Sequence, residues 1–411
     1  VSAFVEPVRA AARDGLQGRR VLMIVENLPA PFDRRVWLEA RTLTAAGARV
    51  TIICPKAPGY EAARQEIDGV RILRHALPAE GRGAWGYLRE YAAALAHETA
   101  LAWRVFLTAG FDVIHICNPP DLLFLVALPF KAFGVKIVFD HHDIGPELYE
   151  AKFGRRDLFW RLLLACERLT FACADVAIAT NESYRKIALT RGAKRKEDVF
   201  VVRSGPDLDT LRPVPPHPRW RDGKRHLIGY VGVMGEQEGI DLLLEAMTHL
   251  VFVQGRGDVR LALAGSGPQL PRLKALASRL GLDGHVTFWG RISDADLCEM
   301  LSSADVCVNP DRVNAMNDLS TMNKIMEYMA FGKPIVQFDV REGRVSAGLA
   351  SLYARANDAQ DFAAMIAELL DSPERRASMG VFARRRVEAK LSWRAQAPAL
   401  LAAYERALDP L

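Results

Sequence analysis

The segment DLSTMNKIMEYMAFGKPIV (318–336) concentrates hydroxyl, amide, ammonium and carboxylate groups at the start of what reads as a helix running into a strand. At ~100° per residue, Met322, Ile325, Met326, Met329 and Ala330 share one side, and Ser320, Asn323, Lys324 and Glu327 the other. Gly332 stands where a helix C-cap belongs, and Pro334 prevents continuation. Free N–H groups at a helix start attract anions such as phosphate, helped by the macrodipole. Ser320, Thr321 and Lys324 would add polar groups and a full charge there. Glu327, three residues beyond Lys324 on the same face, could accept hydrogen bonds from sugar hydroxyls. The same pattern also fits an ordinary capped helix with a Lys–Glu pair.

Other polar clusters stand at strand ends. GYVGVMG puts Gly232 and Gly235 where a strand turns into a helix, so a backbone could approach phosphate there or simply turn tightly. It is not G-x-G-x-x-G, which disfavours a dehydrogenase. VTFWGRI ends a strand at a glycine. The main chain of Arg291 and Ile292 could read a base, or could be a surface loop. FDHHDIGPELYE holds His141, His142, Asp143 and Glu147. Adjacent histidines point in different directions, so at most one is expected to face a cleft, where it could bond a sugar hydroxyl or shuttle a proton. HICNPPD ends a strand, with Asn118 and Asp121 exposed by the two prolines between them. Asp33, Arg34 and Arg35 open a helix, where cations do not help the macrodipole; that misfit hints at an anion to bind, though solvated arginines remain an alternative.

These clusters need elements to hold them. Continuous apolar strands near 20–26, 49–55, 70–75, 112–116, 135–140, 175–179 and 198–202 alternate with helices, including 33–47. That pattern is a parallel sheet covered on both faces. A proline-rich stretch, 203–226, reads as a linker, and a second alternating set follows with strands near 227–232, 259–264, 285–289, 305–309 and 334–338. The expected division is an extension over 1–18, a first domain over 19–206, and a second over 207–389. A final helix, about 390–411, packs back on the first domain. Two cores are what 411 residues require.

Residues 1–206 carry 29 Lys+Arg against 23 Asp+Glu, and the remainder 25 against 26. Two basic stretches, 152–161 and 184–196, fit an anionic membrane surface, or else solvated helix faces. No nucleic-acid recognition motif accompanies them. Six cysteines without a C-x-x-C pair suggest neither zinc nor a disulfide framework and fit a reducing cytosol. No segment is long enough to span a membrane. The expectation is a cytoplasmic protein with peripheral attachment to the inner face of the cell membrane.

Taken in order, DRRVWLEARTLTAAGARVTIICP, DVIHICNPPDLL, YVGVMG, EGIDLLLEAM, LALAGSGPQLPRL, VTFWGRISDADLCEMLSSADVCVNP and NKIMEYMAFGKPIV resemble a family-4 retaining glycosyltransferase of the GT-B fold, over about residues 20–405. The resemblance implies an α/β protein of two Rossmann-like parallel-sheet domains facing across a cleft. It implies a nucleotide-diphosphate sugar donor, a glycan or lipid-linked acceptor, and no metal or other cofactor. Glu327 would bind the ribose, and Ser320, Thr321, Asn323 and Lys324 the diphosphate, with Gly232, Gly235, Arg291 and Ile292 completing the donor site. His142 or His141 would orient the donor sugar. Asp33, Arg34, Arg35, Asn118, Asp143 and Glu147 would lie on the acceptor side. The chain departs from the family pattern. Leu319, beside Asp318, stands where a first glutamate is usual, two customary cations are absent from positions that fall near Val233 and Glu238, and Cys117 replaces a histidine. An active subfamily variant is the favoured reading. A sugar-nucleotide epimerase and a catalytically silent nucleotide-sugar-binding partner are the alternatives.

Overall fold

The computed structural model describes residues 14–76 and 83–409. The chain divides into two units: residues 1–204 with 396–411, and residues 205–395.

The first unit contains β1 (Arg20–Val25), α1 (Arg34–Ala45), β2 (Arg49–Pro55), β3 (Arg64–Ile67), β4 (Val70–His75), α2 (Gly83–Thr108), β5 (Val113–Cys117), α3 (Phe124–Lys131), β6 (Lys136–His141), α4 (Gly145–Phe153), α5 (Leu158–Cys173), β7 (Val176–Ala179), α6 (Glu182–Thr190) and β8 (Val199–Val201). The sheet order is β3-β4-β2-β1-β5-β6-β7-β8. Strands β1, β5, β6 and β7 are buried almost throughout, as a sheet covered on both faces requires. One apolar core packs Leu22, Ile24, Ile114, Ile137 and Ala177 against Phe130 and Phe171. Helix starts follow capping chemistry: Asp33, Asp157 and Asn181 accept backbone N–H bonds ahead of α1, α5 and α6.

The second unit contains β9 (His226–Val231), α7 (Ile240–Thr248), β10 (Val259–Ala264), α8 (Leu270–Arg279), β11 (Val286–Gly290), α9 (Asp294–Ser303), β12 (Val306–Asn309), α10 (Ala315–Leu319), α11 (Asn323–Ala330), β13 (Ile335–Phe338), α12 (Arg341–Ala347), β14 (Ser351–Ala354), α13 (Ala359–Asp371) and α14 (Pro373–Arg386). Its six strands, ordered β11-β10-β9-β12-β13-β14, are all parallel. Strand alternation sends Val308 and Val336 to one core, and Cys307 and Ile335 to the other. The last helix, α15 (Trp393–Leu408), belongs to the first unit from Gln396 onward.

Several expectations change. The antiparallel β3–β4 hairpin was not anticipated, although its two-residue Asp68-Gly69 turn, with both φ positive, is a strong hairpin signal. Strand β14 was also missed. Residues 203–226 are no loose linker, because the second unit claims most of them. Trp220 is buried with its Nε1 on Glu299 (2.9 Å), and the N–H groups of Val214 and His217 donate to Ser302 and Ser303. Residues 1–13 of the expected extension lie outside the described residues, but Leu16 is buried.

Candidate active site

In the second unit, the strand ends after β9, β10 and β12 are built for close backbone approach. A Cβ on Gly232 would come 2.8 Å from the Tyr230 hydroxyl and 3.2 Å from Lys324 Cε. Gly239, with φ +60°, lies so near Pro310 that a Cβ would collide with its carbonyl oxygen. The turn between them is pinned from across the site. Arg312 N–H donates to Gln237 O (3.0 Å), Asn317 Nδ2 to the same oxygen (3.0 Å), and Asn314 Nδ2 to Gln237 Oε1 (2.8 Å). Beneath it, the Tyr328 hydroxyl of α11 accepts from Val231 N (2.9 Å) and donates to Val308 O (3.2 Å). The helix start is thereby fixed against β9 and β12.

That helix start differs from the sequence expectation. Residues 318–322 do not continue it: α10 ends at Leu319, and Ser320 and Thr321 form the turn before α11. Ser320 Oγ donates to Met316 O (2.8 Å), closing α10. Met322 holds the N-cap position with extended backbone and no side-chain cap. Lys324 is therefore the second residue of the helix and not one turn along it. Its ammonium meets Asp311 Oδ1 at 2.9 Å and stands 5.0 Å from the Tyr230 ring centre. Burial lifts the Asp311 carboxyl above its ordinary range, with Lys324 opposing; the same two influences act on Glu238. Asn323 is exposed, and Glu327 half-buried on the same helix. Arg291 is exposed and Ile292 half-buried at the end of β11, where Gly290 O accepts the Gly265 N–H (2.8 Å).

In the first unit, β5, β6 and α1 bring a buried ionic cluster together. Arg35 grips Asp140 with two bonds (2.9 and 2.7 Å), reaches Val202 O (2.7 Å) and Ser204 Oγ (3.2 Å), and lies 3.3 Å from Glu39. The anion that Arg35 seemed to want is thus the chain's own Asp140. His115 donates or accepts at the Tyr404 hydroxyl through Nδ1 (2.7 Å), while its Nε2 lies 3.6 Å from both Glu39 and Asp140. Arg35 and the neighbouring histidines hold the Asp140 carboxyl well below its usual range against strong desolvation; burial and Asp140 push Glu39 well up. Cys117 lies in the same buried cluster, its thiol pushed well up by burial.

Of the two histidines, His142 stands at the rim. It is partly exposed, with Nε2 2.5 Å from Asp140 Oδ2 and 2.9 Å from Arg35 Nε. His141 is a correction: its ring is fully buried among Phe139, Phe171 and Tyr184, with Nε2 3.6 Å from Glu167, so no ligand can meet it. Asn118 is also internal, because its amide is spent. Its Nδ2 donates to Asp121 (2.9 Å) and Asp143 O (2.7 Å), and its Oδ1 accepts from His142 N (2.6 Å) and Asp143 N (3.1 Å). Glu147 is clamped by Arg191 through two bonds (2.6 and 3.1 Å), and Arg191 also holds Glu167. Asp33 caps α1, and Arg34 is exposed beside it. Asp143 is partly buried, and desolvation lifts its carboxyl. In the stretch 184–196, Arg185, Arg191 and Arg195 pair with Glu182, Glu147 and Asp198, Lys194 Nζ donates to Ala174 O, and Lys186 and Lys196 are exposed.

Sequence reasoning missed Glu39, Asp140, His115, Asp311 and Tyr404 as partners. Asp140 is the last residue but one of β6, and Asp311 lies two residues beyond β12; this closeness to strand ends was the available signal.

Residues 33–205 match the family described as a glycosyl transferase 4-like domain, and residues 225–372 match glycosyl transferases group 1. The chain is a glycosyltransferase of the GT-B type. It is 25% identical over 284 residues to the putative glycosyltransferase EpsD of Bacillus subtilis (strain 168), covering 66% of this chain and 70% of that one. It is 27% identical over 198 residues to a GDP-mannose-dependent monoacylated alpha-(1-6)-phosphatidylinositol monomannoside mannosyltransferase of Corynebacterium glutamicum. That match covers 45% of this chain and 51%, about half, of the relative. Sucrose-phosphate synthase from Thermosynechococcus elongatus has the same fold, with a TM-score of 0.75 at 21% identity over 92% of this glycosyltransferase and 96% of the synthase. The two α/β units described above are the two Rossmann-like domains of that fold. No described helix is long and apolar enough to cross a membrane.

Proposed function

We propose that this glycosyltransferase moves a sugar, with retention of anomeric configuration, from a nucleotide-diphosphate sugar to a lipid-linked or growing polysaccharide acceptor. The observation that carries the donor reading is the start of α11. It has no side-chain cap at Met322, carries Lys324 as its second residue, and adjoins the glycine turn after β9. Backbone N–H groups and an ammonium converge there, which is the chemistry a diphosphate needs. Ser320, Thr321 and Asn323 stand around that start, and Glu327 lies on the same helix for the ribose hydroxyls. The main chain at Arg291 and Ile292 takes the base. Negative charge grows on the leaving diphosphate, and Lys324 with the helix dipole meets it, so the reaction needs no metal. In the first unit, His142 is the group for a sugar hydroxyl, and Asp33, Arg34 and Asp143 offer polar edges for an acceptor.

The lipid acceptor is supported by the name of the Corynebacterium relative, which acts on a phosphatidylinositol glycolipid. The exposed surface of α4 and α5 supports it too: Phe153, Leu158, Phe159 and Leu162 alternate with exposed Arg155 and Arg156. Incubating the protein with labelled uridine- and guanosine-diphosphate sugars and a bacterial lipid extract tests this. Transfer to lipid, with the donor's anomeric configuration kept in the product, is expected. Inverted product, or donor turnover that ignores acceptor, would overturn it.

A further inference from the structure

The glycine turn after β9 already holds an anion, and that anion belongs to the chain. Glu238 folds back over the turn: its Oε2 lies 2.5 Å from where a Cβ on Gly235 would be, so only a glycine leaves the carboxylate this seat. The backbone N–H groups of Gly235 and Glu238 draw it there. Successive N–H groups in such a turn form a concavity suited to anions. Lys324, reaching over from α11, faces this carboxylate while bonding Asp311 at 2.9 Å. The ammonium thus pairs with Asp311 and acts on Glu238 through its charge, without an ion-pair contact.

We propose that Glu238 is a built-in stand-in for a donor phosphate, occupying the anion seat of the glycine turn until a nucleotide-sugar diphosphate displaces it or it takes a proton. The inference rests on the donor reading above and adds a condition to it. A diphosphate arriving beside Lys324 meets Glu238 and Asp311 as like charges, and Lys324 cannot neutralise all of them. Tyr230, the remaining titratable group against Glu238, stays neutral because burial pushes its hydroxyl well up. Arg312, whose stem lies over Gly239, is turned to Asp241, so among the described residues Lys324 is the cation acting on the seat. Asp311 is locked to Lys324 and fully buried, whereas Glu238 is half-buried, has no ion-pair contact with Lys324 and yields more readily. Burial and Asp311 lift the Glu238 carboxyl above its ordinary range, so its proton is available at lower pH. The sign follows: donor binding favours the protonated carboxyl, takes up a proton, and weakens as pH rises.

The test is isothermal titration of the wild type and Glu238→Gln with a panel of uridine-, guanosine-, adenosine-, cytidine- and thymidine-diphosphate sugars. Their diphosphates keep the same charge across the pH range. Wild-type affinity for the preferred donor should fall about tenfold from the lowest to the highest pH of the series, as the Glu238 carboxyl loses its proton, with proton uptake shown by buffers of different ionisation heat. Glu238→Gln should bind about tenfold tighter at the upper pH and show a flat profile. Glu238→Asp, which keeps the charge on a shorter stem, should retain the pH slope, and it carries the test if the Gln variant fails to fold. Equal affinities and equal slopes in wild type and Gln variant would overturn the inference while leaving the donor reading intact. If no nucleotide sugar binds any of the three proteins, the donor reading falls and takes this inference with it.

Discussion

Lys324 joins three things within one side chain: an ion pair to Asp311, a contact with the Tyr230 ring, and the first turn of α11. Lys324→Met keeps the stem and removes the charge. Turnover should fall by at least ~10²-fold, more than donor affinity falls, because the ammonium matters most as the diphosphate leaves. Near-normal turnover in a variant that melts like the wild type would reassign the role. Glu327→Ala should weaken nucleotide-diphosphate binding by ~1–3 kcal/mol, the loss expected for hydrogen bonds to a charged acceptor; titration with the free nucleotide reads it directly. Asp121 offers a stability test away from the donor site. Burial pushes its carboxyl up to about 6. A folded-state pKa above the unfolded one stabilises at low pH, and that contribution is lost as pH rises through about 6. Asp121→Asn keeps an acceptor for Asn118 and removes the buried charge. It should be more stable than the wild type by ~1–3 kcal/mol near neutral pH and about equal near pH 4 in urea unfolding. A variant–wild-type difference that does not change with pH would sink this account. At this scale the sequence was only partly readable. Periodicity could place His141 and His142 on opposite sides of β6, but it could not say that Asp140 and Arg35 would find each other 105 residues apart.

Helix α5 and the end of α4 carry the membrane expectation through exposed apolar side chains, since Arg155 and Arg156 pair with Asp157 and Glu150 much as the arginines of 184–196 pair with their own acids. In 152–161, Leu158 is 81% exposed and Phe153 55%, with Arg155 and Arg156 on the same surface. In 184–196, Arg185, Arg191 and Arg195 pair with Glu182, Glu147 and Asp198 and Lys194 bonds a backbone carbonyl, while Lys186 and Lys196 are exposed. Charge runs look alike in sequence; Glu182 and Asp198 are acid partners three residues away, whereas Glu147 comes from elsewhere in the chain. Replacing Arg155, Arg156 and Arg161 by Glu should abolish sedimentation with anionic vesicles at low salt, and added salt should release the wild type. A wild-type protein that never sediments under those conditions would rule the surface out. Most strands were legible because continuous apolar runs between helices have few other solutions. The start of α11 was not, because Ser320 and Thr321 suit a helix cap and a turn equally well, and the choice was made by Ser320 closing α10.

At the scale of the whole molecule, two parallel α/β units were legible from the alternation and from the prolines near 203–226. The exact ownership of those prolines was not, since Trp220 and Leu211 bury themselves in the second unit. The first unit is discontinuous: the second, residues 205–395, is inserted into it, and the first is completed only by residues from Gln396 onward. Tyr404 closes on His115, Arg406 on Asp198 at 3.0 Å, and Gln396 Oε1 on the Arg203 N–H at 3.1 Å. Ending the chain after Ala395 should strip hydrogen-exchange protection from β5 while β9 and β12 keep theirs. Unchanged protection in β5 would show that the last helix is dispensable. On the ribosome, where a nascent chain emerges from its N-terminus, this insertion reverses the natural order of maturation. The second unit has every residue it needs before the first does, although the first is begun earlier. His115, Asp198 and Arg203 wait through the synthesis of an entire domain for their partners, so a chain that stalls after the second unit carries that unit finished and the first unit unfinished.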